Sequence, residues 1–365
     1  MGGTAMPLIE SLRSWLALPE VEPAQDYGFF GPDSIAWKVW SYPSSLTIGF
    51  QRAVVIEELD PALVASVDAT AAIYDRPRTR YDRTLRYFAM VMFADSRSTA
   101  KAADVLVKIH SKGVGTCPVT GQRYDANDPK SQLWIHLTAW HSLLIAYEKY
   151  GPGRLSPEEE GRYWEECARA AELQTCDPAD VPRTREGIQD YFEQMRPQLL
   201  GSEIAKKAMR HLLRADVMLP PMPPLLRPAF YIVSAFLRRG TLATMPRWMR
   251  KMAGLPTNPL LDLLIVPLLS SAFTVVSLNA RLEILLLRLI SPMTVAVAAP
   301  VLLRIPPVHE ETMTPREAQR RYGYDIPSQA HLALREKQAN RIFGSGLPPG
   351  DEGIIESQPI LGNIA

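Results

Sequence analysis

Apolar residues return at every third and fourth position in "PALVASVDATAAIY" (61–74), "RTLRYFAMVMFAD" (83–95), "STAKAADVLVKIH" (98–110), "SQLWIHLTAWHSLLIAYEKY" (131–150) and "EEEGRYWEECARAAELQ" (158–174). That is the period of a helix laid against a core, and it predicts an all-α, multi-helix bundle. Helix starts are legible. Asp60-Pro61 and Asp128-Pro129 each place a capping carboxylate before a proline, and Ser156 is followed by Pro157 and three acids. Stops are equally plain: Gly113 and Gly115 follow His110, and "GPG" (151–153) follows "AYEKY". Strand-like alternation is confined to a short piece near "LTIGF" (46–50).

From about Glu193 the pattern changes. Stretches such as "RADVMLPPMPPLLRPAFYIVSAFLRRG" (214–240) mix proline with arginine and predict short helices divided by proline stops. Two long apolar runs follow: Leu263–Ala280, eighteen uncharged residues, and Leu289–Leu303, fifteen residues holding Pro292 and Pro300. A spanning helix wants about 20 apolar residues, so the runs read as buried or interfacial helices, with a membrane-dipping hairpin as the alternative. The expected organisation is an N-terminal segment (1–27), a main domain (28–255), apolar C-terminal helices (256–335) packed on it or associated with a membrane, and a flexible tail (336–365).

Composition narrows the function classes. Forty basic and thirty-nine acidic residues give a net charge of +1, which argues against a general nucleic-acid binder. Three cysteines at 117, 167 and 176 fit neither a disulfide framework nor a zinc spacing, and point to the cytoplasm. The start "MGGTAMPLIESLRSWLALPEVEP" lacks the layout of a secretion signal, and "MGGTAM" has Met6 where a myristoylation site wants Ser or Thr. Walker, GxGxxG, GxSxG and CxxC motifs are missing, so nucleotide hydrolysis, hydride transfer and serine hydrolysis lack their anchors.

The candidate chemistry lies between Arg80 and Trp140. Arg80, Arg83, Thr84 and Tyr87 share a helical side, with Leu85, Phe88, Val91 and Met92 expected opposite, in the core. That arginine face is either a solvated surface paired with Asp75 or Asp82, or an anion clamp with a hydroxyl beside it. His110 continues the stripe Ala103, Leu106, Val107, so it looks inward, while Lys108 and Lys112 keep the other face wet. It is either a satisfied core histidine or an imidazole offered to a metal. Gly113 and Gly115 leave room beside it for a flat cofactor or a second backbone. On the next helix His136 and Trp140 stand one turn apart. His136 and His141 are five residues apart and cannot chelate one ion from a straight helix.

Several segments, in order, resemble one family. They are "GFFGPDSIAWKVWSYPSSLTIGFQRAVVIEELDPALVASVD" (28–68), "RYDRT" (80–84), "IHSKGVGT" (109–116), "YDANDPKSQLWIHLTAWHSLLIAY" (124–147), "LSPEEEGRYWEE" (155–166), "VPRTREGIQDYFEQM" (181–195) and "TLATMPRWMRKMAGLP" (241–256). Together they are similar to the MpaB / latex-clearing-protein family of oxygenases. The resemblance implies a helical fold around haem b and O2-dependent chemistry on a hydrophobic, isoprenoid or lipid-like substrate. It makes His110 the proximal iron ligand and puts Arg80, Arg83 and Thr84 in the distal pocket. Gly113 and Gly115 flank the haem, His136 and Thr138 have a supporting role, and Trp140 is a further cofactor-binding candidate beside His136. Arg83 stands where the rubber-cleaving branch has a lysine, so a lysine-ligated resting state is excluded. That branch also has an upstream acidic base, for which the nearest acids here are Asp68 and Asp75. Two alternatives stay open: a non-haem iron oxygenase using His110, His136 and Asp128, and a helical lipid- or haem-binding protein at a membrane surface without turnover.

Overall fold

A computed structural model describes residues 20–214 and 227–353; the expectations for the N-terminal leader and for the end of the tail fall outside these residues. The first half comprises α1 (Ile35–Trp40), a π-helical turn (Ser45–Gly49), α2 (Phe50–Ile56), a 3-10 turn (Glu57–Leu59), α3 (Pro61–Thr70), α4 (Ala72–Asp75), α5 (Pro77–Phe93) and α6 (Ser96–His110). A two-stranded hairpin, β1 (Val114–Thr116) and β2 (Arg123–Asp125), leads to α7 (Pro129–Tyr150) and α8 (Pro157–Ala171). Then come α9 (Arg185–Met195), α10 (Glu203–Leu212), α11 (Arg227–Thr244), α12 (Arg247–Met252), α13 (Pro259–Ser277), α14 (Ala280–Ile290), α15 (Pro292–Leu302), α16 (Pro315–Tyr322) and α17 (Leu332–Phe343). The fold is all-α, as the periodicity predicts.

The caps form as read. Asp60 accepts from the Ala62 and Leu63 amides, Asp128 from those of Lys130 and Ser131, and Ser156 closes a capping box with Glu159. Two local expectations are corrected. The piece near "LTIGF" is a π-helical turn, because Gly49 lets it approach α7 so closely that a Cβ would lie 2.9 Å from the Leu143 Cα. The β-hairpin, at residues read as a plain glycine turn, forms because Gly115 pairs across to Tyr124.

The core is built around α7, whose Trp134, Leu137, Trp140 and Leu144 are buried. Arg52 of α2 is also buried, its guanidinium bound to Ser142 Oγ and Thr244 O, which ties α2 to α7 and α11. Between the two apolar runs the fates differ. The second forms α15 and packs along α5, burying Val295, Ala298 and Ala299. The first forms α13, which buries only Ile265, Leu269 and Phe273 and leaves the rest of its surface outside. The apolar character of α13 therefore does not translate into burial. At the C-terminal end, α17 carries helix to Phe343, inside the segment expected to be flexible.

Candidate active site

One cavity of about 480 Å³ opens between the 3-10 turn, α3, α5, α6 and the start of α7. Its wall is mostly apolar, with Phe50, Val54, Leu63, Phe88, Leu106 and Ile135, and it also carries Glu57, Glu58, Arg80, Arg83, Thr84, His110 and Gln132. A few convergent polar groups in an apolar chamber are what a small-molecule site requires.

Helix α5 delivers the arginines. Burial draws the Arg80 guanidinium down from its ordinary value, and the nearby Glu58 carboxyl pulls it back up. Arg80 lines the chamber and keeps exposed surface there. Thr84 donates its hydroxyl hydrogen to the Arg80 carbonyl at 2.8 Å, leaving oxygen lone pairs toward the cavity. Asp82, on the other side of the helix, is bound by Ser291 and the Met293 amide, and Asp75 is exposed. Phe88 departs from the sequence expectation: it lines the cavity half-buried, with Phe50 5.8 Å away, instead of sitting in the core behind it.

His110, the last residue of α6, also reaches the cavity. Burial first, and the Arg80 charge second, bring its imidazole down to about 4, so the ring is neutral at pH 7 and keeps a lone pair for a metal. Its Nδ1 lies 3.4 Å from Nε2 of Gln132, which also donates to the Ala126 carbonyl at 2.7 Å. Gly113 lines the chamber. A Cβ there would lie 2.7 Å from the Ala126 Cβ, so its bareness serves the close approach of the hairpin. Gly115 lies outside the chamber, and a Cβ on it would meet the Tyr124 hydroxyl at 2.5 Å.

Arg80, Arg83, Thr84, His110 and Gly113 are thus brought to one chamber, whereas His136 and Trp140 stand behind its wall. The His136 Nε2 donates to the Cys167 carbonyl at 2.8 Å, and its ring packs beside Trp140. Asp128 serves the N-terminus of α7. Among the described residues no three His, Cys, Asp or Glu side chains converge on a point that would hold a metal ion, which is unlike the three-ligand non-haem site.

Sequence reading missed the acids. Glu57 and Glu58 are 8% and 4% exposed and reach the chamber from the 3-10 turn, whereas Asp75 is not among the residues that line it. The Glu57 carboxylate accepts from the Thr138 hydroxyl at 3.0 Å, yet burial pushes it up to about 8. Burial, followed by the Glu57 charge, also lifts Glu58 to about 8 while Arg80 opposes the rise. Glu58 Oε2 and the Tyr87 hydroxyl are buried without a hydrogen-bond partner among the described residues. Native structures rarely leave such atoms unmatched unless a ligand completes them. The available signal was "VVIEEL" (54–59), in which two carboxylates continue an apolar helical run.

A helical shell around an apolar chamber with one neutral imidazole, two guanidinium groups and two buried carboxyls of raised proton affinity suits oxygen chemistry on a hydrophobic molecule. Residues 37–278 match the family described as ER-bound oxygenase mpaB/B'/Rubber oxygenase, catalytic domain. The match covers well over half of the chain, which belongs to this family and is an oxygenase. Neither a curated protein nor a solved structure matches it.

Proposed function

We propose that the chain is a haem b-dependent oxygenase that uses O2 on a hydrophobic, isoprenoid or lipid-like substrate. The observation that carries this reading is the single neutral imidazole of His110 in a chamber that also holds Arg80, Arg83 and Glu58. The donor set fits haem. Porphyrin supplies four nitrogens itself, so one protein imidazole suffices where a bare iron ion would need several ligands. The unmatched Glu58 Oε2 and Tyr87 hydroxyl mark a wall that awaits a partner.

Haem b, held through the His110 imidazole, would supply the iron that activates dioxygen. The protein's own groups do the rest. Arg80 and Arg83 bring fixed positive charge and N–H donors to negative charge that develops on oxygen. Glu58, whose proton affinity burial raises, can hold a proton at the unpartnered Oε2, donate it to an oxygen atom of the reacting molecule and recover it from the same atom. Glu57 is fixed by Thr138 and raises Glu58 by repulsion when ionised. Phe50, Phe88, Leu106 and Ile135 exclude water and favour an apolar substrate.

An optical spectrum of freshly purified protein, expressed with ample haem supply, tests the proposal. A Soret band that His110→Ala abolishes supports it, and a colourless protein rejects it. Oxygen uptake with isoprenoid substrates separates the enzyme from a carrier, which would consume none.

A further inference from the structure

We infer that the outer face of α11, α13 and the start of α14 is a membrane-docking surface that lies flat in the headgroup region of an anionic phospholipid bilayer. The inference stands without haem. Its first support is exposed apolar area. Tyr231, Ile232 and Phe236 on α11 and Leu263, Leu264 and Leu268 on α13 all point outward, with Leu263 70% exposed. Leu278, at the α13–α14 junction, is 80% exposed. Monomers rarely show contiguous apolar patches beyond a few hundred Å² unless something covers them.

The second support is how α13 is held. It is the one helix among the described residues long and apolar enough to cross a membrane. However, Asp262 binds Arg239 and Arg250 (2.7 Å to the latter), and Ile265, Leu269 and Phe273 pack in a cluster with Ile48, Ala146 and Tyr150. A helix fastened along one side to the protein cannot thread a bilayer alone. It can offer only its outer face, as an interfacial helix does.

The third support is charge, which selects the occupant. Arg238 lies beside Tyr231 and Arg281 three residues after Leu278, both exposed; Arg247 and Lys251 between α11 and α13 are exposed as well, and no carboxylate between residues 227 and 290 is. Asp262 and Glu283 are half-buried. A second copy would bring the same cations to the interface, and like charges facing each other across a two-fold axis repel. Anionic lipid supplies both the opposite charge and the apolar medium.

Flotation of the full chain with phosphatidylcholine vesicles, with and without phosphatidylserine, tests this. The protein should float with the phosphatidylserine vesicles about tenfold better than with neutral ones, and salt should weaken the preference. Alkaline carbonate should release it. The double variant Leu263→Glu/Leu264→Glu should stay at the bottom while keeping the wild-type circular dichroism melt, since both side chains are exposed. Arg238→Glu/Arg247→Glu should lose the phosphatidylserine preference. Wild-type protein that floats with neither vesicle, or a leucine variant that floats like wild type, overturns the inference. So does resistance to carbonate, which would mean spanning, or a leucine variant whose only change is from dimer to monomer.

Discussion

The chamber wall and the outer face of α13 break the inside-out rule in opposite directions. Glu57 and Glu58 are ionisable groups enclosed by protein, whereas on α13 leucines stand outside. Helix α7 shows the ordinary case, with Leu137, Trp140 and Leu144 buried and its start capped by Asp128 and wet at Lys130. Burying a carboxyl costs free energy unless it keeps its proton, and leaving a leucine exposed forgoes about 2 kcal/mol. Each deviation is local, and each occurs where a partner from outside the chain would remove the cost: a reacting molecule inside, a lipid surface outside.

The comparison breaks most completely at His110. His110→Ala should reduce haem content to background and oxygen uptake with it, read by absorbance and an oxygen electrode. Full haem loading of that variant would mean that the chamber holds its cofactor through another residue.

Glu58→Gln comes next. It should retain haem but lower turnover by about 10²–10⁴-fold. It should also change the pH dependence of stability. The folded Glu58 carboxyl titrates near 8 against an ordinary 4.5, so the folded state binds more protons between these values. Its contribution to stability is full below pH 4.5 and is lost as pH rises through 8. Thermal melts of wild type should fall across that window, and melts of Glu58→Gln should fall less steeply. His110 has the reverse sign: its contribution is present above pH 6.5 and lost as pH falls through about 4.

Two neighbours on α13 sharpen the other half of the comparison. Ile265→Ala removes a side chain packed in the core and should cost about 2–5 kcal/mol. Leu264→Ala should stay within about 0.5 kcal/mol, because Leu264 touches little within the chain. Equal losses in denaturant melts would show that the outer face is covered by the chain itself.

Gln132 tests the chamber once more. Gln132→Leu removes the amide beside His110 Nδ1 and should weaken haem retention about 10–100-fold, as loss of a group that orients a metal ligand does. Haem transfer to apomyoglobin measures it, and an unchanged rate would leave Gln132 with its bond to Ala126 alone.

Much of this architecture was legible without coordinates. The helix periods, the caps at Asp60, Asp128 and Ser156, and the stop after His110 are local, set by side chains within a few residues of the backbone they satisfy. The clustering of Arg80, Arg83 and Thr84 followed from helical geometry, and the inward aim of His110 followed from the stripe it extends. Other features depend on what comes from far along the chain. The π-helical turn at Ser45–Gly49 exists because α7 presses against Gly49. Phe88 faces a chamber instead of core because α3 and the 3-10 turn stop short of filling that space.

The sequence by itself determined the all-α class, the caps at Asp60, Asp128 and Ser156 and the family, because these depend on patterns that neighbouring residues write directly. Only the tertiary structure decided that Glu57 and Glu58 line one chamber with Arg80 and His110, that His136 is held by Cys167 outside the chamber, and that α13 shows leucines outward while α15 buries Val295, Ala298 and Ala299. Those outcomes are set by which surfaces meet. A carboxyl or a leucine has the same covalent structure wherever it lies, and its proton affinity or its contact with lipid follows from the atoms packed around it.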